Sequence, residues 1–258
     1  MSLRAALDGL AGDGGAFAIE APEGWTQGRT LYGGMTAALC AEAARRSLAD
    51  LPPLRSAQFA FTGAAAGRLR FEVGLIRQGR SSSFVAVDGF ADAGPVARAL
   101  FAYGAARESQ VGHDAADAPR VAAPEDCPPF FEAPRGGFFQ NFEMRLAAGA
   151  RPMSPGAEPA FTVWVRHLDH AGVDPVVSLL ALADSLPPAA MVAFPAPAPI
   201  STVTWSLDIL QPVQAGEWRL LSSASEQAAD GYSLQAMSLW SREGRRLAAG
   251  RQTVAIFA

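Results

Sequence analysis

Residues 174–188 read DPVVSLLALADSLPP, and this stretch is the most informative part of the chain. Asp174 can cap the free N–H groups at the start of a helix, and the proline after it suits the first helical turn. Leu186 precedes a proline and is disfavoured in helical geometry, so a helix over 174–186 is predicted. Every face between these limits is apolar, which is typical of a helix buried on all sides.

Asp184 is the only charged residue between the two ends of this helix. Spacings of three and four residues place it on the same face as Val177 and Leu180. Burying an unpaired carboxylate is expensive, so Asp184 must be hydrogen-bonded, paired or used in chemistry. Capping of a neighbouring strand and a catalytic role both remain open from this residue alone.

The composition is typical of a globular protein with a substantial core. Of 258 residues, 50% are hydrophobic and 18% are charged, and the net charge of -4 comes without a basic run, which argues against a nucleic-acid partner. No uncharged apolar run reaches the roughly 18 residues of a membrane span. Asp8 comes too early for a secretory signal. Cys40 and Cys127 are expected to be free thiols in a cytoplasmic protein.

Two halves of the chain have the same predicted order of elements. In the first half a strand near 16–25 precedes an alanine-rich helix from Tyr32 to Leu48, and four strands follow. In the second half two strands precede the helix over 174–186, and four strands again follow. The remaining predicted strands lie near 55–62, 68–78, 82–91, 96–105, 137–147, 160–169, 200–210, 217–226, 232–240 and 246–257.

This order predicts an N-terminal unit at 1–106, a connector at 107–135 and a C-terminal unit at 136–258. The connector is acidic, rich in proline and aperiodic, which indicates a surface crossing with little structure of its own. A strand, a helix and four antiparallel strands indicate a curled sheet around a buried helix, and two such sheets can hide their open edges by pairing. A second proline-rich segment, Pro187–Pro199, could be a lid or a stiff link.

A set of short motifs runs in order along nearly the whole chain. They are YGGM at Tyr32–Met35, Asp184, PISTVTWS at Pro199–Ser206, Gln211-Pro212, Glu217-Trp218 and LAAGRQ at Leu247–Gln252. This set resembles the acyl-CoA thioesterase II family of double hot-dog thioesterases. The resemblance implies an α+β fold of two hot-dog units, each a central helix wrapped by an antiparallel sheet. Where the family usually has Asp-His, this chain has Thr204-Trp205, a departure that could reshape the pocket.

The resemblance implies a catalytic set of Asp, Thr and Gln, which falls on Asp184, Thr202 and Gln252. These residue types permit direct attack of water on a thioester, with Asp184 accepting a proton and the oxygens of Thr202 and Gln252 holding the water. Gly33 and Gly34 are expected to bind substrate, because a helix N-terminus presents N–H groups that can polarise a carbonyl. The sequence has no Gly-x-Ser-x-Gly elbow, and no cofactor is expected.

One active site per chain is predicted, with its catalytic residues in the second unit. The position of the first unit that matches Gln252 lies near Ala102, and the first helix has Ala43 and Ala44 but no Asp. The first helix is still expected to form part of the pocket wall.

Three functions are compatible with these observations. The leading hypothesis is an acyl-CoA thioesterase that forms a homodimer. The second is a non-catalytic protein that binds acyl thioesters on the same fold. The third is an enoyl-thioester hydratase, which would need an Asp/His pair that the central helices lack. His167 and His170 are spaced like metal ligands, but no further Cys/His cluster accompanies them, so no metal site is predicted.

Overall fold

The computed structural model describes residues 1–133, 135–214 and 218–257. The α-helices are α1 (Leu3–Asp8), α2 (Gly33–Ser47) and α3 (Pro175–Ala183). The strands are β1 (Ala11–Asp13), β2 (Ala16–Glu20), β3 (Thr26–Gln27), β4 (Thr30–Leu31), β5 (Leu54–Phe61), β6 (Arg68–Gln78), β7 (Ser82–Ala91), β8 (Gly94–Gly104), β9 (Phe142–Gly149), β10 (Ala160–His167), β11 (Ile200–Ile209), β12 (Arg219–Ala229), β13 (Tyr232–Trp240) and β14 (Arg246–Ile256). Short 3₁₀ helices cover Pro124–Asp126, Gly137–Asn141 and Ala189–Ala193.

Twelve strands of the described chain form one antiparallel sheet, in the order β1-β2-β6-β7-β8-β5-β11-β14-β13-β12-β10-β9. The first six strands in this order belong to the first unit and the last six to the second. The units join where β5 pairs with β11, with Ala60 opposite Thr204 and Ser56 opposite Asp208. This pairing hides one open edge of each unit. The α+β double hot-dog fold is confirmed.

The two central helices pack against each other and against the twelve-stranded sheet. Helix α2 is buried from Gly34 to Ala44 and contacts β6, β7 and β8, while α3 contacts β10. Small alanine side chains let α2 approach its neighbours closely. The Tyr32 hydroxyl, just before α2, donates a hydrogen bond of 2.9 Å to the carbonyl of Ala181 in α3. This bond ties the start of α2 to the end of α3.

Helix α3 begins as predicted but ends earlier. The Asp174 carboxylate accepts hydrogen bonds from the N–H groups of Val176 and Val177, as a cap should. The helix was predicted to continue to 186, but it ends at Ala183, and Asp184 is its C-cap. The Ser185 N–H bonds the Leu182 carbonyl, so the final turn is tighter than an α-helix. The Asp184 side chain therefore extends from the C-terminal end of α3, not from within the helix.

Several strand limits differ from the prediction for local reasons. The first strand stops at Glu20 because Pro22 follows, and the strand expected from 137 begins only at Phe142. Gly137 has a φ of 67° and leaves no room for a side chain beside Thr26, so a 3₁₀ turn forms there. The strand predicted at 217–226 is observed as β12. Its predicted start at Glu217 lies outside the described residues, as does Gly216.

The described part of the connector packs against the second unit. Its Ala122 carbonyl accepts a hydrogen bond of 2.9 Å from Trp164, and the Phe130 N–H bonds the Met144 carbonyl at the edge of β9. Cys127 joins a small apolar cluster on the face of the sheet opposite the helices. Its other buried members are Trp164, Trp218, Leu220 and Trp240. The connector has little regular structure, but it covers a sheet face and an edge.

Candidate active site

One cavity of about 630 Å³ collects most of the residues singled out from the sequence. Asp184, Thr202, Gln252 and Gly33 all line it. Asp184 comes from the end of α3, Thr202 from the start of β11 and Gln252 from β14, while Gly33 opens α2 of the first unit. The cavity therefore lies at the junction of the two units.

The Asp184 carboxylate is held from two sides. The Gln252 Nε2 donates a hydrogen bond of 2.5 Å to its Oδ1, and the backbone N–H of Gly34 donates a second hydrogen bond. Burial raises the pKa of Asp184 to about 7, although both hydrogen bonds act to lower it. A carboxylate with this pKa can take up and release a proton near neutral pH, which is what a general base requires.

Gly33 and Gly34 are glycines because neighbouring side chains occupy the space of a Cβ. A Cβ on Gly33 would lie 2.7 Å from Asp184 Oδ2, and one on Gly34 would lie 2.5 Å from the Tyr32 hydroxyl. Both residues were expected to present free N–H groups to a substrate carbonyl. The Gly34 N–H is instead engaged by Asp184, and Gly34 is not among the residues that line the cavity.

Gln252 is itself held by a buried residue that the sequence did not single out. Gln235 lies directly opposite Gln252 on β13, and its Nε2 donates a hydrogen bond of 2.7 Å to Gln252 Oε1. The Ala189 N–H in turn donates to Gln235 Oε1 at 2.5 Å. The Gln252 oxygen was expected to hold the water, but it points to Gln235. The sequence signal for Gln235 was weak: it shares the inward face of β13 with Met237 and Leu239, but also with another polar residue, Ser233.

Thr202 stands at an irregular point of its strand. The pairing of β11 with β14 shifts register between Thr202 and Thr204, so the chain has a bulge there. Bulges of this kind re-aim side chains and are common beside active sites. Thr202 is half-buried and lines the same cavity as Asp184.

The rest of the cavity wall is mainly apolar. Tyr32 stacks on Phe138 with ring centroids 4.0 Å apart, and Pro187, Met191 and Pro199 bring the second proline-rich segment to the wall. Burial and the nearby charge of Asp184 both raise the pKa of Tyr32, which therefore stays neutral. Among the described lining residues, the charged side chains are those of Asp184 and Arg135.

The two histidines lie outside this cavity. His167 Nε2 is 2.9 Å from the Ser178 carbonyl, and burial lowers the pKa of His167 to about 4. His170 is its neighbour, with ring centroids 5.7 Å apart. No group of three or more His, Cys, Asp or Glu residues in the described ranges has an arrangement that could hold a metal ion.

A half-buried carboxylate facing an apolar cavity between two hot-dog units defines the class: a double hot-dog protein. The family follows from the sequence. The acyl-CoA thioesterase N-terminal domain matches residues 21–104, and the acyl-CoA thioesterase C-terminal domain matches residues 124–256. The chain belongs to the acyl-CoA thioesterase family and is a thioester hydrolase. No curated protein matches the sequence significantly.

Solved structures agree with this fold over nearly the whole chain. A hot-dog protein of unknown function from Alicyclobacillus acidocaldarius is 26% identical, with a TM-score of 0.87 and 98% of each chain covered. The tesB protein of Mycobacterium avium subs paratuberculosis is 19% identical, with a TM-score of 0.82, and covers 99% of this chain and 98% of its own. Acyl-CoA thioesterase II TesB2 from Mycobacterium marinum is 19% identical, with a TM-score of 0.79, and covers 100% of this chain and 99% of its own.

The described helices do not combine the length and the apolar character that crossing a membrane requires.

Proposed function

We propose that the protein hydrolyses acyl-CoA thioesters by direct attack of a water molecule that Asp184 activates. The observation that carries this proposal is the Asp184 carboxylate itself. It faces an apolar cavity, it is held at 2.5 Å by Gln252, and burial raises its pKa to about 7. A general base must reach its water, and the cavity gives the Asp184 carboxylate that access.

The reaction needs a single acid–base group. The water oxygen attacks the thioester carbonyl carbon while Asp184 takes the water proton. The tetrahedral intermediate then breaks its carbon–sulfur bond, and the proton on Asp184 passes to the departing sulfur. The products are a free acid and a thiol, and Asp184 is again ionised.

Thr202 and the start of α2 supply the remaining positioning. Thr202 lines the same cavity as Asp184, and its proposed role is to accept a hydrogen bond from the same water through its hydroxyl. The N-terminus of α2 carries a partial positive charge that suits the developing oxyanion, and Gly33 lines the cavity at this N-terminus. Gln252 holds the carboxylate rather than the water.

The test is hydrolysis of a panel of acyl-CoA chain lengths by the wild type and by Asp184→Asn. Asn is nearly isosteric, so the fold should survive while proton acceptance is lost. We expect hydrolysis to fall by about 10²-fold or more. If Asp184→Asn lowers the melting temperature and retains full specific activity, Asp184 is structural and the proposal is wrong. If the wild type binds acyl-CoA and hydrolyses none of the panel, the non-catalytic function is correct.

We also propose the division of the chain into units, its cellular location and its oligomeric state. The division at 1–106, 107–135 and 136–258 is supported by the two matching orders of elements. A cytoplasmic location is supported by two free cysteines, Cys40 and Cys127. A homodimer is tested by light scattering, where a species of only 27.0 kDa at micromolar concentration would exclude it.

A further inference from the structure

We propose that Gln235 is a positioning residue, which fixes the Gln252 amide with its nitrogen toward Asp184. The inference rests on the proposed function, since it concerns the group that holds the proposed base. Gln235 does not line the cavity, so it acts through Gln252 and not on the substrate.

The polarity of the hydrogen-bond chain is set at one end by the backbone. A backbone N–H can only donate, so the atom of Gln235 that lies 2.5 Å from the Ala189 nitrogen must be the oxygen Oε1. The Gln235 nitrogen then donates to Gln252, and that contact must involve the Gln252 oxygen. The Gln252 nitrogen is left to donate to Asp184. One backbone donor therefore determines the orientation of both amides.

The opposite orientation of Gln252 would oppose the ionised base. Its oxygen would then face Asp184 Oδ1, and two acceptors would meet unless the carboxylate carried a proton. Its nitrogen would face the Gln235 nitrogen, leaving two buried donors against each other, which costs free energy. A misoriented Gln252 therefore raises the pKa of Asp184 and depletes the form that accepts a proton from water.

The burial of these amides has no parallel in the first unit. Gln235 is 2% exposed and Gln252 is 4% exposed, and they face each other across β13 and β14. The corresponding hairpin of the first unit, β7 with β8, pairs Val85 with Phe101 and Val87 with Ala99. Apolar pairs thus suffice to pack such a hairpin. The second unit instead has two buried amides, those of Gln235 and Gln252, in a hydrogen-bonded chain that ends at the Asp184 carboxylate.

Two substitutions on β13 separate positioning from packing. Gln235→Met keeps the length of the side chain and removes both hydrogen bonds at its end. Ser233→Ala is the matched control, because Ser233 is 1% exposed on the same face of the strand and bonds Ser225 outside the cavity. The pKa of Asp184 is measured by carbon-13 NMR of its carboxyl group, which is assigned from its loss in Asp184→Asn.

We expect Gln235→Met to raise the pKa of Asp184 by roughly one unit or more, and Ser233→Ala to leave it unchanged. Turnover of Gln235→Met at pH 7 should fall about tenfold with KM within about twofold, as for a group that positions the base. In the Gln252→Ala background, Gln235→Met should reduce kcat no further, because the residue through which it acts is gone.

An unchanged pKa of Asp184 in Gln235→Met, with only a lower melting temperature, would overturn the inference. So would an additive loss of kcat in the double variant. The NMR titration does not depend on turnover, so it tests Gln235 even if the wild type hydrolyses no acyl-CoA. A normal wild-type activity with no shift in the pKa would reject Gln235 and leave the proposed function standing.

Discussion

Gly33→Ala adds a single methyl group at the point where the first unit touches the proposed base. The new Cβ would lie 2.7 Å from Asp184 Oδ2 and 3.5 Å from the ring of Phe61. An ordinary contact requires at least 3.4 Å, so the carboxylate oxygen must move by about 0.7 Å. That movement disturbs the bonds to Gln252 and Gly34 that hold the carboxylate.

The expected cost falls on turnover rather than on stability. A misplacement of about 1 Å can cost 10²-fold in rate, so kcat should fall by roughly 10- to 100-fold. Gly33 is the first residue of α2, and Ala is a better helix former than Gly. The substitution should therefore add about 0.4–1 kcal/mol to the free energy of unfolding, which offsets the strain of the contact with Asp184. The melting temperature should therefore change little.

The assay is kcat on the preferred acyl-CoA together with a melting curve on the same preparation. Gly74→Ala serves as a control, because a Cβ there meets nothing within 4 Å. Gly34→Ala is the contrast: its Cβ would strike Tyr32, so that variant should lose stability as well. Full activity in Gly33→Ala, or a loss of activity that only follows a loss of folded protein, would refute the reasoning.

Three further predictions follow from the described contacts. The kcat/KM should rise with pH through an apparent pKa of about 7, since the ionised Asp184 is the active form, and a flat profile from pH 5 to pH 9 would contradict this. Thr202→Val should lower kcat more than it raises KM in steady-state assays, whereas a change in KM alone would assign Thr202 to binding. Burial raises the pKa of Glu42, but hydrogen bonds from Arg45 and Arg46 outweigh it and lower the pKa overall. Glu42→Gln should therefore lower the melting temperature at pH 7, and the difference from wild type should shrink below pH about 4.5; a difference independent of pH would exclude a role for the charge.

The duplicated fold could be predicted because its signals are local. Glycine turns and alternating strands repeated in both halves, and the family motifs ran in matching order. The ends of elements were less predictable where distant residues decide them. Gly137 meets Thr26 and the last turn of α3 tightens before Pro187, and neither effect follows from periodicity.

The candidate site was predictable as a set of residues but not as a network. Asp184 stood out in the sequence because a charge in an apolar helix must be paired, hydrogen-bonded or used in chemistry. Gln235 did not, because one glutamine in a strand is unremarkable until its partner on the next strand is known. The orientation of the Gln252 amide depends on the Ala189 N–H, which is a backbone contact between elements distant in the chain. No pattern within either element indicates it.

The duplication gives the prediction of one active site per chain a physical basis in the two pairs of helix ends. The end of α3 meets the start of α2, and Asp174 at the start of α3 lies close enough to Arg45 at the end of α2 to raise the pKa of that arginine. The helices therefore run in opposite directions, and each pair of ends could hold a site. At one pair, Gly34 offers a backbone N–H to the Asp184 carboxylate.

At the other pair of helix ends, the N–H groups that a second site would need are already bound within α3. The N–H groups of Val176 and Val177 are already bound by their own cap, Asp174, and Pro175 has no N–H to offer. The facing end of α2 does carry a carboxylate, that of Glu42, but the guanidinium groups of Arg45 and Arg46 already bind it. The complete cap and the favourable interaction of Asp174 with Arg45 stabilise this end of the helix pair. At the end of α3, ionisation of the half-buried Asp184 lowers stability as pH rises from about 4 towards its pKa of about 7, because the folded state holds the proton more tightly than the unfolded chain. That cost is confined to the one end of the helix pair where the cavity can use it.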